Sequence, residues 1–239
     1  MNSLFTALIA KRIVATVSAL LVIAIGCGAG IWQLTRADTK IALAANLLAR
    51  QQMPILNANA SPWSLDEASE RRMIARGQYI PDAAIWLDNR PRPTPMAGSS
   101  ASPSGFYLMM PLRLENRDEI LWVNRGWAPR NPENRETMPP IDTPSGVVNI
   151  EGIVFAHPGK VYELGSGKST PVKNVPRIEQ NFDLEAQAKL YGWTQSPFIL
   201  RLEEAGIQDG LLREWAPLTT GVDRHYAYAF QWFALAACG

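Results

Sequence analysis

Apolar residues fall along this chain in three regimes. From Ile13 to Trp32 the run IVATVSALLVIAIGCGAGIW carries no charge. About twenty residues at about 1.5 Å each cross a bilayer core. The run is longer than the roughly 7–15 apolar residues of a cleaved signal peptide, so it predicts a permanent anchor. Helical spacing continues through QLTRADTKIALAANLLARQQM, with Leu34, Ile41, Leu47 and Leu48 as its apolar positions. Pro54 ends that pattern.

The middle of the chain switches to short runs of strand character: RMIARGQYI, AAIWLDN, GFYLMMPLRLE, EILWVNRGWAP, VVNIEGIVFA and PFILRLEE. Turn formers separate them. Pro91–Gly105 and Pro129–Gly146 are too rich in proline and polar residues to pack, and read as loops. Ser64 caps a short helix beginning LDEASE, and a second helix is expected at Asp183–Tyr191. Strands and helices do not alternate, which excludes a doubly wound parallel sheet. The fold class is α+β: an antiparallel β-rich domain, sheet or partly closed barrel, with one or two helices, flanked by two membrane helices.

The third regime is HYAYAFQWFALAACG, from His225. Tyr226, Tyr228 and Trp232 suit a membrane interface. About fourteen residues from Tyr226 to Gly239 fall short of the roughly twenty that span. The segment is expected to be a short, tilted membrane helix or a truncated one, with a buried C-terminal helix of the soluble domain as the alternative. The expected boundaries are a cytoplasmic leader at 1–12, a transmembrane helix at 13–32, an extracytoplasmic domain at 33–223 and a second transmembrane helix at 224–239.

Charge sets orientation. Lys11 and Arg12 precede the first apolar run, and basic flanks stay cytoplasmic, so the soluble domain faces out. The short leader holds no long transit peptide, which favours a bacterial inner membrane over its mitochondrial equivalent. Across 239 residues the net charge is +1, with no basic stripe, which argues against nucleic acid as a partner. The two cysteines, Cys27 and Cys238, each sit in an apolar run. No disulfide framework, CxxC pair or CxxCH follows from them.

Candidate chemistry is sparse. With two histidines, His157 and His225, and no GxSxG elbow, a serine triad lacks its parts. GSGKST at Gly165–Thr170 resembles a phosphate loop, but Tyr162 stands where the pattern needs glycine and PVKNVP follows where a helix should start. His157, in FAHPGK, reads as a turn histidine. No carboxylate pair is spaced for acid–base work, and the chain is expected not to be an enzyme. In VNRGWAP, Arg125 is expected to stack on tryptophan at a corner opened by Gly126, a structural role preferred over a propionate contact. His225 opens an apolar helix at the membrane edge, where ionisable groups are functional candidates. Imidazole is a common ligand of haem iron. At helical spacing His225 shares a face with Ala229, Trp232 and Ala236, a small-next-to-large pattern that could leave a slot for a flat ring. Gly26 and Gly30 form a GxxxG pair that permits close packing. These residues alone leave an interfacial histidine and a haem ligand both open.

Taken together, WQLTR after the first helix, VNRGW in the middle and HYAYAFQWFALA at the end resemble the surfeit-locus family of cytochrome c oxidase assembly factors, over almost the whole chain. The resemblance implies a haem a binding chaperone, with His225 as the contact to haem iron. It also implies the oxidase large subunit and the haem a synthesis machinery as partners, beside membrane lipid. The alternative is a membrane-anchored scaffold that stabilises an oxidase assembly intermediate without binding haem. The implied setting is a bacterial inner membrane, multi-pass, with the soluble domain in the periplasm.

Overall fold

The computed structural model describes residues 2–93, 103–161, 172–203, 209–215 and 221–238, with side chains described from Lys11 onward. In chain order the elements are helix α1 (Asn2–Gln51), strand β1 (Leu56–Asn57), helix α2 (Leu65–Ala68), β2 (Arg72–Tyr79), β3 (Ile85–Pro91), β4 (Ser104–Leu114), β5 (Ile120–Pro129), β6 (Val147–Phe155), β7 (Arg177–Glu179), helix α3 (Leu184–Tyr191), β8 (Gln195–Leu202) and helix α4 (Val222–Cys238). They divide into two compact units, Met1–Leu48 with Leu218–Gly239, and Ala49–Pro217.

The second unit is built on one sheet in the order β1-β2-β6-β8-β5-β4-β3-β7, with an added β2–β4 pairing. That pairing closes β2, β6, β8, β5 and β4 into a five-stranded barrel. Strand β4 serves two neighbours: Ser104–Met109 pairs with β3, and Leu112–Leu114 pairs with β2. The expected antiparallel sheet is corrected on one point, because β5–β8, β3–β7 and β1–β2 run parallel. Strand β8 returns beside β5 only after β6, β7 and α3, and a crossover that long permits parallel pairing.

Burial explains the sequence pattern. Strand β2 has one wet face, so it alternates strictly, with Met73, Ala75 and Tyr79 inside and Arg72, Arg76 and Gln78 outside. Strands β4, β5 and β8 are covered on both faces. Leu108, Met110, Leu121, Val123, Phe198 and Leu200 belong to one core. Met109, Ile120, Trp122 and Ile199 belong to a second, with Phe182 and the partly buried Leu184 at the start of α3. Doubly covered strands read as continuous apolar runs, which is why GFYLMMPL and ILWV show no alternation. Ser64 caps α2 in a capping box with Glu67, and Asp183 caps α3 by accepting the Ala186 N–H at 3.0 Å. No helix or strand lies between Pro129 and Val147, as the loop reading expects. Residues 94–102 of the other expected loop lie outside the described residues.

In the first unit, α1 continues unbroken through the apolar run and beyond it. Val14, Val17, Leu20, Leu21 and Ile25 are all exposed, as a lipid-facing surface requires. Among the described residues α1 is the one helix long and apolar enough to cross a membrane. Two flanking membrane helices were expected, and this corrects the second. Helix α4 forms where the pattern places it, but its 17 residues rise about 25 Å, short of a hydrocarbon core of about 30 Å.

Barrel closure depends on Gly77, which faces Val148 of β6 and Leu114 of β4 at once. A Cβ there would sit 2.2 Å from the Arg113 carbonyl oxygen. Gly77→Val is therefore expected to cost at least about 1–3 kcal/mol by overpacking. Gly146→Ala, in open space, should stay within about 0.5 kcal/mol. Urea unfolding followed by tryptophan fluorescence checks both.

Candidate functional site

The first unit brings two small-residue stripes together. On α1, Gly26, Gly30 and Ala37 are buried, with Gln33 half-buried among them. On α4, Ala229 and Ala236 are buried and Trp232 is half-buried. A Cβ on Gly26 would meet Ala236 Cβ and the Trp232 carbonyl oxygen, both at 2.9 Å, and one on Gly30 would meet the Phe233 ring at 2.6 Å. The GxxxG pair thus seats α4 against α1, as close-packed small residues do. This corrects the expected slot: the face of Ala229, Trp232 and Ala236 is taken up by helix packing and has no room for a flat ring.

His225 lies in the first turn of α4, half-buried. Its Nδ1 is 2.7 Å from Gln33 Oε1. An amide oxygen only accepts, so the imidazole donates from Nδ1, and in the neutral ring the lone pair is on Nε2. Around it Gln33, Lys40, Gly221, Arg224, His225 and Tyr228 line an open cleft of about 430 Å³. That volume lies in the roughly 300–1,000 Å³ range of small-molecule clefts. The described residues that line it include two cationic side chains and no carboxylate, which suits an anionic ligand. Among the described residues no group of three His, Cys, Asp or Glu side chains could hold a bare metal ion. The cleft can offer one nitrogen ligand and positive charge.

Gln33, Lys40 and Arg224 were not singled out by sequence reasoning. The available signal was periodicity: Gly26, Gly30, Gln33, Ala37 and Lys40 recur at alternating steps of four and three, the seam of two packed helices. His225, Ala229, Trp232 and Ala236 follow the same rule on α4.

Arg125 belongs to the second unit. Gly126 opens no turn there. Strand β5 continues to Pro129, and Asn124–Trp127 oppose Met109–Tyr107 of β4, one residue too many. Gly126 takes φ +141° in this bulge. The bulge re-aims the neighbouring side chain inward, and Arg125 is only 2% exposed. It donates to the Thr143 hydroxyl at 2.6 Å, the Asp142 carbonyl at 2.8 Å and the Asp209 carboxylate at 2.9 Å. Arg213 also pairs with Asp209. The ring beneath Arg125 is Tyr79, 4.8 Å away, and not a tryptophan. Trp127 donates its indole N–H to the Arg90 carbonyl at 2.9 Å, and its backbone bridges Leu212. The motif ties two long connections to the barrel, through both terminal nitrogens of its arginine.

His157 is exposed and its Nδ1 accepts the Gly159 N–H at 3.1 Å, the turn role expected of it. GSGKST lies outside the described residues.

A model of the SURF1 family matches residues 20–237. The chain belongs to the SURF1 family. WQLTR, VNRGW and HYAYAFQWFALA all fall within the matched stretch. The chain is 26% identical over 224 residues to a SURF1-like protein of Caenorhabditis briggsae, covering 86% of this chain and 67% of that protein. It is 25% identical over 217 residues to a SURF1-like protein of Rickettsia bellii, covering 87% and 80%. With Surfeit locus protein 1 of Homo sapiens it shares 26% over 218 residues, covering 88% and 70%. The chain thus spans about two thirds of the nematode and human proteins' length.

Two predictions follow from the buried pair. Asp209→Ala strands Arg125 and Arg213 without a carboxylate and should cost about 3–5 kcal/mol. The double variant Arg125→Met with Asp209→Leu should cost less than the two singles combined, because it leaves less buried charge unpaired. Guanidinium unfolding curves measure both. The second concerns Tyr79, whose phenol burial pushes up to about 12, with the Arg125 guanidinium opposing more weakly. Its folded pKa lies above the unfolded value near 10, so the stabilisation is full below about pH 10 and disappears as pH rises through 12. Between pH 9 and 12 the parent should lose about 2–3 kcal/mol more than Tyr79→Phe. Unfolding at both pH values decides it.

Proposed function

We propose that this chain is a cytochrome c oxidase assembly factor that binds haem a at His225 and assists its insertion into the large oxidase subunit. The family is known generally for oxidase assembly. The observation that supports the finer reading is the His225–Gln33 contact, which leaves Nε2 as the lone-pair atom of a neutral ring that lines the cleft. When bound, haem a would supply an iron for a nitrogen ligand and two anionic propionates. His225 fits the iron by donor type. Lys40 and Arg224 fit the propionates by charge, with Tyr228 beside them. The exposed rings of Tyr226 and Phe230 suit a greasy ligand held at a bilayer edge. The proposed setting is a bacterial inner membrane with the barrel unit in the periplasm, because Lys11 and Arg12 precede the apolar stretch of α1.

The test is a Soret band. Purified from cells making haem a, the parent chain should carry one and His225→Ala should lose it. Expression and membrane insertion should stay near normal, since one hydrogen bond is worth about 1 kcal/mol. His157→Ala should bind as the parent does. A full Soret band in His225→Ala, at an unchanged position, sinks the assignment. A parent chain that takes up no haem leaves the scaffold role in its place.

A further inference from the structure

The contact that fixes His225 comes from a residue on the other helix, and this assigns work to Gln33. Gln33 stands on the buried seam of α1, between Gly30 and Ala37, where an apolar residue would pack as well. Its amide oxygen instead meets His225 Nδ1 at 2.7 Å. A free imidazole carries its proton on either nitrogen. An acceptor against Nδ1 removes that freedom: the proton stays on Nδ1 and the lone pair stays on Nε2. It also holds the ring plane, because the hydrogen bond lies in it. Such outer partners orient a ligating histidine and raise its basicity.

We infer that Gln33 is the positioning residue of the haem site, holding the His225 imidazole in its Nδ1–H tautomer with Nε2 presented to the cleft. This rests on the reading of His225 as the iron ligand. Gln33 touches no iron in it and acts only through the ring. The acceptor is a neutral amide, so it orients the ring without the strong push a carboxylate would give. The two helices thereby share one site: α4 brings the ligand, and α1 decides how that ligand is held.

The experiment titrates haem into the full chain in detergent, and records the iron–histidine stretching frequency of the ferrous form and the midpoint potential. Gln33→Leu keeps the packing volume and removes the acceptor. It should weaken haem binding by about 10–100-fold and lower the iron–histidine frequency. Gln33→Glu keeps an acceptor and strengthens it. It should restore binding, raise that frequency above the parent's and lower the midpoint potential, since a more basic imidazole favours ferric iron. A residue with a merely structural role would not move frequency and potential in opposite senses between the two variants. Suppose His225→Ala abolishes binding while Gln33→Leu and Gln33→Glu both match the parent in affinity, frequency and potential. Then the positioning role is overturned and the ligand assignment survives. Suppose instead His225→Ala binds as the parent does. Then the ligand assignment fails, and the role of Gln33 falls with it.

Discussion

Gly26 has no space for a side chain. Ala236 Cβ and the Trp232 carbonyl oxygen both lie 2.9 Å from where its Cβ would be. Neither is the far end of a flexible group, so nothing there could swing aside. Everything of interest in the first unit depends on that closeness. With α4 drawn in, Gly30 meets Phe233, Ala229 and Ala236 become buried, and His225 arrives within hydrogen-bonding distance of Gln33. Small residues let two helices approach closely, and a polar pair adds to the contact. The seam supplies both, small residues along its length and one polar pair near its end.

The barrel unit obeys a different constraint. Among its buried polar residues, Arg125, Asp209 and Arg213 are held together as one ionic cluster. Such clusters add little net stability relative to apolar packing, yet losing one member is costly. Their effect is to make connections obligatory. Through Arg125 the carbonyl of Asp142, the hydroxyl of Thr143 and the carboxylate of Asp209 must all sit at the bulged part of β5. Arginine beside glycine and tryptophan reads as a structural corner, with a ligand contact as the lesser alternative. Its hydrogen bonds show a clamp for irregular chain, which no sheet ladder could hold.

How far the sequence carried the reading follows from these two environments. Six of the eight strands, α3 and the Ser64 cap were legible because each is set by local pattern, whereas the short β1 and β7 carry no pattern of their own. Barrel closure was not, because it depends on Gly77 tolerating a carbonyl from a strand far along the chain. The parallel β5–β8 pairing was hidden for the same reason. The place of His225 at the start of an apolar helix could be read from the sequence. The slot beside it was misread because small residues on one helix admit either a ligand or another helix, and the glycines of α1 decide for the helix. Gln33 went unnoticed because glutamine at the end of an apolar run reads as ordinary interface. Only the partner across the seam gives it meaning.

On the proposed function the chain must both hold haem a and surrender it, and the site's make-up bears on that requirement. A resident haem protein encloses its group and backs the ligating histidine firmly. Here the cleft is open, its cations Lys40 and Arg224 are exposed, and Tyr228 is half in solvent. Exposed ion pairs are worth about 0–1 kcal/mol each, enough to favour one orientation of the propionates and too little to trap them. The neutral Gln33 amide follows the same logic, since a carboxylate in its place would make the imidazole a stronger ligand and release slower. The weakness of each contact is then a requirement of the task. On that proposal, orientation would come from the helix seam, and an affinity kept low would let a tighter site on the oxidase subunit win.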